Sequence, residues 1–438
     1  RFSSNALSRM GRRGFLKTLA GLGVSASAAS VLTQEAVADV IDDPRREVPR
    51  IKAFRHTNHE AVVEEGAKPE REPDIYSIPR SMWARVEAAH DARRQVEKQL
   101  DGNYPVWVTD DNNGDKMVVV EQYDDGNLRS ADVRALDEQI PASVKGVAGR
   151  RSRFGWKSRY AQEREIPVDI KRPQIDGSQK ENSSAEQSKM AEDYSNYSLD
   201  SSIKTSESIH YEYDYEEIPA GSHMYATDSD MGNATHVTTG FPVYDDTESK
   251  ILSAGHTFDS QLDRGWVDDN ITSSEFGGDL HEEEVVFDPF ANDEFDPLDA
   301  ALMEIGPSAS GTKRAFAANG GGYRWTSIWG SLTLDRLNDI QDSGTGSNGA
   351  LIKQGSINGR DECSITAVTD RAFKTDLVGG DDIEGGDSGG PIAEVREVPW
   401  MGRNIAYAAG LISSNLETNE YVYGSAMHAV EDEFTVIV

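Results

Sequence analysis

Gly386-Asp387-Ser388-Gly389-Gly390-Pro391 (GDSGGP) decides how this 438-residue chain is read. A serine hydroxyl becomes a useful nucleophile only when a base within hydrogen-bond reach takes its proton. Working outward, LSAGH ends in His256, and DAAL begins with Asp299. A histidine, a carboxylate and a serine are the three groups that acyl transfer requires. They occur here in the order His, Asp, Ser, with gaps of 43 and 89 residues. The glycines around Ser388 permit tight, partly left-handed backbone. They would aim the N–H groups of Gly386 and Ser388 at a developing oxyanion. Asp387 reads as a structural charge that locks this loop. His256 follows the apolar and small run Ile251–Gly255, which is expected to be a buried strand end. Asp299 opens the strand-like run DAALMEI, whose burial would let it orient the imidazole and stabilise the imidazolium. Asp296 in FDPLD competes, but it precedes a proline in an acidic loop, so Asp299 is the expected acid.

The order, spacing and local pattern of these three motifs resemble the trypsin/chymotrypsin-like serine proteases, in particular the bacterial secreted branch of streptogrisin and α-lytic protease. The resemblance extends over about residues 205–438. Val237–Val243 (VTTGFPV) resembles the strand before the histidine, and Ile352–Glu362 (IKQGSINGRDE) resembles the streptogrisin-like segment with paired glycines. Ala409–Ser414 (AGLISS) is similar to the strand lining the substrate cleft. The resemblance implies that Ser413 hydrogen-bonds the catalytic aspartate, and that Ser413, Ser414 and Asp382 lie at the substrate-binding site. A carboxylate at Asp382, six residues before Ser388, would favour Lys or Arg at the cleaved bond, although Tyr421 would crowd that pocket. It also implies an internal cation paired with Asp387, at the position of Lys353. Cysteines of the family are absent: the corresponding positions read Val237, Thr257, Ile352 and Glu362. The implied fold is an all-β catalytic domain of two antiparallel six-stranded barrels, about Glu212–Pro307 and Arg324–Val438.

Composition accounts for part of that departure. Cys363 is the single cysteine, so no disulfide can form within the chain. Acidic residues outnumber basic ones 76 to 44, a net charge of −32. The asymmetry lies in the second half, where residues 211–438 hold 42 Asp and Glu against 12 Lys and Arg. Such a lysine-poor acidic surface suits high salt, where self-repulsion is screened, and argues against nucleic acid as a partner.

Arg12-Arg13-Gly14-Phe15-Leu16-Lys17 reads as a twin-arginine export signal, with an uncharged stretch to Gln34 and a small-x-small cleavage site at Ala36-Val37-Ala38. Residues 1–38 are therefore expected to be a signal peptide, with the twin-arginine translocase as an export partner and an extracellular destination. Between signal and catalytic half, Pro79–Leu100 carries Met82, Val86, Ala89, Val96 and Leu100 at helical spacing. Tyr104–Thr109 and Met117–Tyr123 flank an Asp-Asn-Asn-Gly turn, a hairpin signal. Arg150, Arg151, Arg153, Lys157 and Arg159 form a basic cluster, and the Ser- and Glu-rich residues 176–210 read as a linker. The expected organisation is a small α+β pro-region at 39–175, the linker, and the catalytic domain at 211–438. The pro-region of such a zymogen would serve as inhibitor or folding aid.

The expected function is hydrolysis of protein or peptide substrates by a secreted serine endopeptidase through an acyl-enzyme, with no cofactor. No twelve-residue EF-hand loop is present. Two other classes fit parts of the pattern. A non-proteolytic binding protein could use the same scaffold, but such proteins characteristically lose a triad member or the oxyanion glycine, and all are present. An esterase could use the same triad, and GDSGG satisfies the G-x-S-x-G elbow. His256, however, lies far upstream of Ser388, against the Ser-acid-His order of α/β-hydrolases.

Overall fold

A computed structural model describes residues 46–100, 104–122, 130–148, 162–173 and 217–438, the last without the connecting segments 228–233, 246–247, 259–263, 267–277, 286–297, 306–310, 319–321, 345–348, 357–358, 378–386, 399–402 and 415–420. The export signal, the basic cluster at 150–159, the linker, Asp296, Asp382 and Gly386 lie outside these residues.

The C-terminal half, residues 217–438, forms two barrels. In the first, β7 (Glu217–Ala220) leads into β8 (His223–Thr227), β9 (Ala234–Thr238), β10 (Pro242–Tyr244), β11 (Ser249–Ser253), β12 (Arg264–Trp266), β13 (Gly278–Val285) and β14 (Asp299–Glu304). Hydrogen-bonded order runs β10-β11-β14-β13-β12-β8-β9. Because the chain passes directly from β9 into β10, that order returns on itself as six strands, one of them interrupted at residues 239–241. Closure of this kind leaves no open edge.

Two strands, β15 (Gly311–Ala318) and β16 (Gly322–Leu332), and the helix α4 (Leu334–Ser343) lead to the second barrel. Thr333 caps α4 by accepting from the Arg336 N–H. The barrel strands are β17 (Gly349–Gly355), β18 (Gly359–Val368), β19 (Ala372–Leu377), β20 (Pro391–Val398), β21 (Arg403–Ser414) and β22 (Tyr421–Ala426). They close as β17-β18-β19-β22-β21-β20-β17, all antiparallel. The barrel therefore begins after the expected Arg324, because β16 lies outside the ring and pairs parallel to β21. Ile352 and Glu362 are directly opposed across β17 and β18, at the two positions matched to cysteines. Cys363 is buried, and that burial pushes its thiol up to about 12. A core shared by both barrels packs Phe241, Leu252, Leu302 and Phe316 against Ala408, Leu411 and Val430.

The N-terminal part has its own apolar core and is also sewn into the second barrel. Its elements are β1 (Glu47–His56), α1 (His59–Glu65), β2 (Arg71–Pro79), α2 (Arg80–Gln99), β3 (Val106–Asp110), β4 (Lys116–Glu121), α3 (Ser130–Gln139), β5 (Ser143–Ala148) and β6 (Gln162–Lys171). The helix and hairpin match the expectation to within one or two residues at most ends. In α2 the buried face is wider than expected and includes Trp83, His90 and Arg93, while Met82 is only half-buried. Strand β1 pairs with β16, and β3 pairs with β18. One continuous sheet thus runs from the N-terminal strands through the barrel and out again.

Charged groups cross this seam in buried and part-buried positions. Glu121 accepts from Lys374 Nζ at 3.1 Å, Trp107 Nε1 at 3.0 Å and Tyr423 OH at 3.3 Å. Arg93 donates to Asp370 at 2.7 Å, and Arg71 to Glu431 at 2.6 Å. His56 Nε2 contacts the Val438 carbonyl oxygen at 2.6 Å, and His90 Nε2 contacts Asn338 Oδ1 at 2.8 Å. Burial, followed by the Arg314 charge, pushes His56 down to about 3. Burial pushes His90 down to about 4, although Asp370 pulls the other way.

Both histidines are therefore held neutral, which gives the seam a pH dependence of definite sign. Their native values lie below the unfolded value near 6.5, so the separated state binds protons more readily. Stability is lost as pH falls below about 6.5, by about 1.4 kcal/mol per pH unit per histidine, until each native value is reached. Melting temperature between pH 7 and 4 should fall, and His56→Gln with His90→Gln should flatten that slope. An unchanged slope in the double variant would assign the acid sensitivity elsewhere. Glu121→Ala, which leaves Lys374 buried beside no carboxylate at that position, should cost about 3–5 kcal/mol in the same melt.

Candidate active site

Local sequence places the three expected groups at strand ends where the barrels meet. β11 ends at Ser253, and a single 3-10 turn, Gly255–Thr257, presents His256. Thr257 Oγ1 holds that turn by donating to the Ala254 carbonyl at 2.7 Å. Asp299 is the first residue of β14, and its side chain is fully buried. Ser388 lies in the turn before β20.

Asp299 is surrounded by donors. Its Oδ2 receives Ser413 Oγ at 2.5 Å and faces His256 Nδ1 at 2.6 Å, while Oδ1 accepts from the His256 backbone N–H at 2.8 Å. Its own N–H donates to Ser425 Oγ at 2.8 Å, and that hydroxyl reaches the Asp299 carbonyl at 2.9 Å. Burial pushes the Asp299 carboxyl up, but the His256 charge and the bonds from His256 and Ser413 outweigh it and leave the group below its ordinary value. Burial likewise pushes His256 down, yet the Asp299 charge and hydrogen bond win, so the imidazole is raised. With Asp299 on Nδ1, the other ring nitrogen is left for proton exchange. About a third of the His256 side chain remains exposed, so the ring stands at an open surface.

The serine turn is clamped from both barrels. Thr238 N–H donates to the Ser388 carbonyl at 2.9 Å, and Gly389 N–H donates to the Ile412 carbonyl at 2.7 Å. Ile412 N–H returns a bond to the Gly390 carbonyl at 2.7 Å. Ser388 Oγ lies 3.5 Å from the Ser413 carbonyl oxygen, where a hydroxyl donates only weakly. Gly389 adopts φ +85°, and a Cβ there would fall 2.3 Å from Ser253 Oγ and 2.4 Å from the Thr238 carbonyl oxygen.

Asp387 is fully buried, and Lys353 Nζ stands 3.9 Å from its Oδ2. The same ammonium is closer to Asp361, at 2.8 Å. Ser414 ends β21, in register with Tyr423. Thus His256, Asp299, Ser413 and Ser388 gather at one place, with Asp387 and Lys353 behind the serine. Sequence reasoning missed Ser425, Thr238 and Asp361. Ser425 and Thr238 act on backbone atoms, which any residue type supplies, so no motif marks them. Asp361 could have been found by counting across the 353–361 hairpin. Among the described residues no group of three His, Cys, Asp or Glu is placed to hold a metal ion, and no helix is long and apolar enough to cross a membrane.

Residues 213–427 match the family model described as trypsin. No curated protein matches the chain. Among solved structures, Thermobifida fusca protease A is similar at 18% identity and TM-score 0.33, over 51% of this chain and 98% of its own. A glutamic acid-specific serine protease, described as using a histidine triad in substrate binding, is similar at 14% identity and TM-score 0.33, over 50% of this chain and all of its own. Alpha-lytic protease homolog N4 is similar at 12% identity and TM-score 0.31, over 50% and 98%.

The glycine at 389 is a demanding position in this geometry. Gly389→Ala combines a left-handed φ with contacts no Cβ tolerates, so it should destabilise by about 2–5 kcal/mol. A thermal melt of that variant at wild-type stability would mean that the turn is looser than these contacts imply.

Proposed function

We propose, from the trypsin-family match over residues 213–427 and the geometry around Asp299, that this chain is a serine endopeptidase working through an acyl-enzyme. The observation that carries the reading is the buried Asp299 carboxylate, which accepts from Ser413 and fixes His256 through Nδ1. In the proposed reaction His256 Nε2 takes the Ser388 hydroxyl proton as Oγ bonds to the scissile carbonyl carbon. The resulting oxyanion is received by the backbone N–H groups of Gly386 and Ser388. His256 then returns the proton to the leaving amine, the C–N bond breaks, and an acyl-enzyme remains. Water, deprotonated by the same imidazole, releases the acid and restores Ser388.

Asp382, Ser413 and Ser414 are the proposed substrate-binding residues, and the substrate class is protein or peptide. The acidic second half supports operation at high salt. Residues 1–38 support export by the twin-arginine route, and 39–175 act as a pro-region that aids folding or restrains the protease until the linker at 176–210 is cut. The sheet continued across β3 and β18 supports that last assignment, since a segment sharing backbone hydrogen bonds with the barrel can template it.

Casein hydrolysis at high salt, compared with a short-chain ester, tests the reading. Ser388→Ala should lower kcat by about 10⁴-fold or more with the melt unchanged, and His256→Ala and Asp299→Asn should lower kcat by a similar factor. Asp296→Asn should be mild; greater damage from it than from Asp299→Asn would displace the acid assignment. Because Asp299 raises His256, the acid limb of kcat/KM should lie above histidine's ordinary value of about 6.5, with activity lost as the base protonates below it. A limb well below pH 6 would oppose that pairing.

A further inference from the structure

Lys353 projects from β17 into a space closed to water, with none of its side chain exposed. Its ammonium faces two carboxylates. Asp361 Oδ2 is 2.8 Å away, and Asp387 Oδ2 is 3.9 Å away. Asp361 is the cross-strand neighbour of Lys353 in the β17–β18 register, whereas Asp387 belongs to the turn that carries Ser388. In a common dielectric the attraction varies as the inverse distance, so the nearer carboxylate has the stronger hold by about 1.4-fold. A lysine stem has four flexible carbons, and the place of its ammonium is set by what it meets at the end.

The Asp387 carboxylate has little room of its own. A Cβ on Gly355 would lie 1.9 Å from Asp387 Oδ1 and 2.0 Å from its Cγ, so the carboxylate packs directly against the β17 backbone. Asp361 is 14% exposed, while Lys353 and Asp387 are fully enclosed, so the anchoring carboxylate sits at the outer end of the row.

Building on the acyl-transfer reading, we propose that Asp361 is a positioning residue for the serine turn: by holding the Lys353 ammonium at the β17–β18 hairpin, it fixes the distance between that ammonium and Asp387, and with it the place of Ser388. Asp361 touches no substrate and acts only through Lys353. With the anchor neutralised, the ammonium is free to close on Asp387 and draw the turn with it. A shift of about 1 Å in a reacting group costs on the order of 10²-fold in rate.

The test measures kcat and KM on a peptide substrate at high salt for wild type, Asp361→Asn, Asp361→Glu, Lys353→Met and the Asp361→Asn/Lys353→Met pair, with melting temperatures for all five. Asp361→Asn should lower kcat by about 10- to 100-fold with KM within about threefold of wild type. Asp361→Glu, which keeps the charge, should recover part of the loss. In the Lys353→Met background the second substitution should cost nothing further in kcat, because the path through the ammonium is already cut. Wild-type kcat in Asp361→Asn, or losses that simply multiply in the pair, would overturn the proposal. If wild type itself cleaves nothing, the acyl-transfer reading fails, and the melts still decide the anchor. Coupling between the two substitutions in melting temperature supports it, and additive shifts reject it.

Discussion

Burial of one carboxylate, Asp299, is the constraint around which the two barrels are organised. An ionised group enclosed without partners would be expelled or protonated, so its enclosure demands donors. Those donors come from both barrels: the backbone and ring of His256 from the first, and Ser413 from the second. Ser425, also from the second barrel, holds the aspartate's own backbone. The carboxylate is therefore satisfied only when the barrels are docked, and docking delivers His256 to the strand that lies beside Ser388. Stability and site assembly become the same event.

Without a disulfide the chain fastens this arrangement by other means. The serine turn is bonded on one side to β9 and on the other to β21, so it forms a rivet between barrels. Of the four lysines in residues 211–438, Lys250, Lys353 and Lys374 are buried. Lys353 and Lys374 are both enclosed, one behind the serine turn and one on Glu121 of the N-terminal part. A surface lysine contributes little, whereas an enclosed one whose partner is removed leaves a charge that nothing compensates. Scarcity on the outside and retention inside follow from the same electrostatics.

The N-terminal part is attached at two separate edges, through β1 on β16 and β3 on β18. Its seam is polar and partly ionic, with Glu121, Asp370 and Glu431 each receiving a cation from across it. Neutral histidines fill two further positions. Such an interface is sensitive to pH, because burial disfavours the charged imidazole.

Much of the site was legible in the sequence because its parts are short and local. Gly386–Pro391, the run ending at His256 and the run beginning at Asp299 each encode a strand end and a side chain within a few residues. The helix at 80–99 and the hairpin at 106–121 were legible for the same reason, through period and turn chemistry. Tertiary structure alone decided what meets across distance. Ser425 and Thr238 bind backbone atoms, and the β3–β18 pairing uses N–H and C=O groups that every residue type carries, so no side-chain pattern announces them. The same holds for the choice of Lys353 between two carboxylates. Sequence put a cation, a hairpin partner and a loop aspartate in the chain, but the distances of 2.8 and 3.9 Å, which settle how the charge is shared, arise only when the barrel closes.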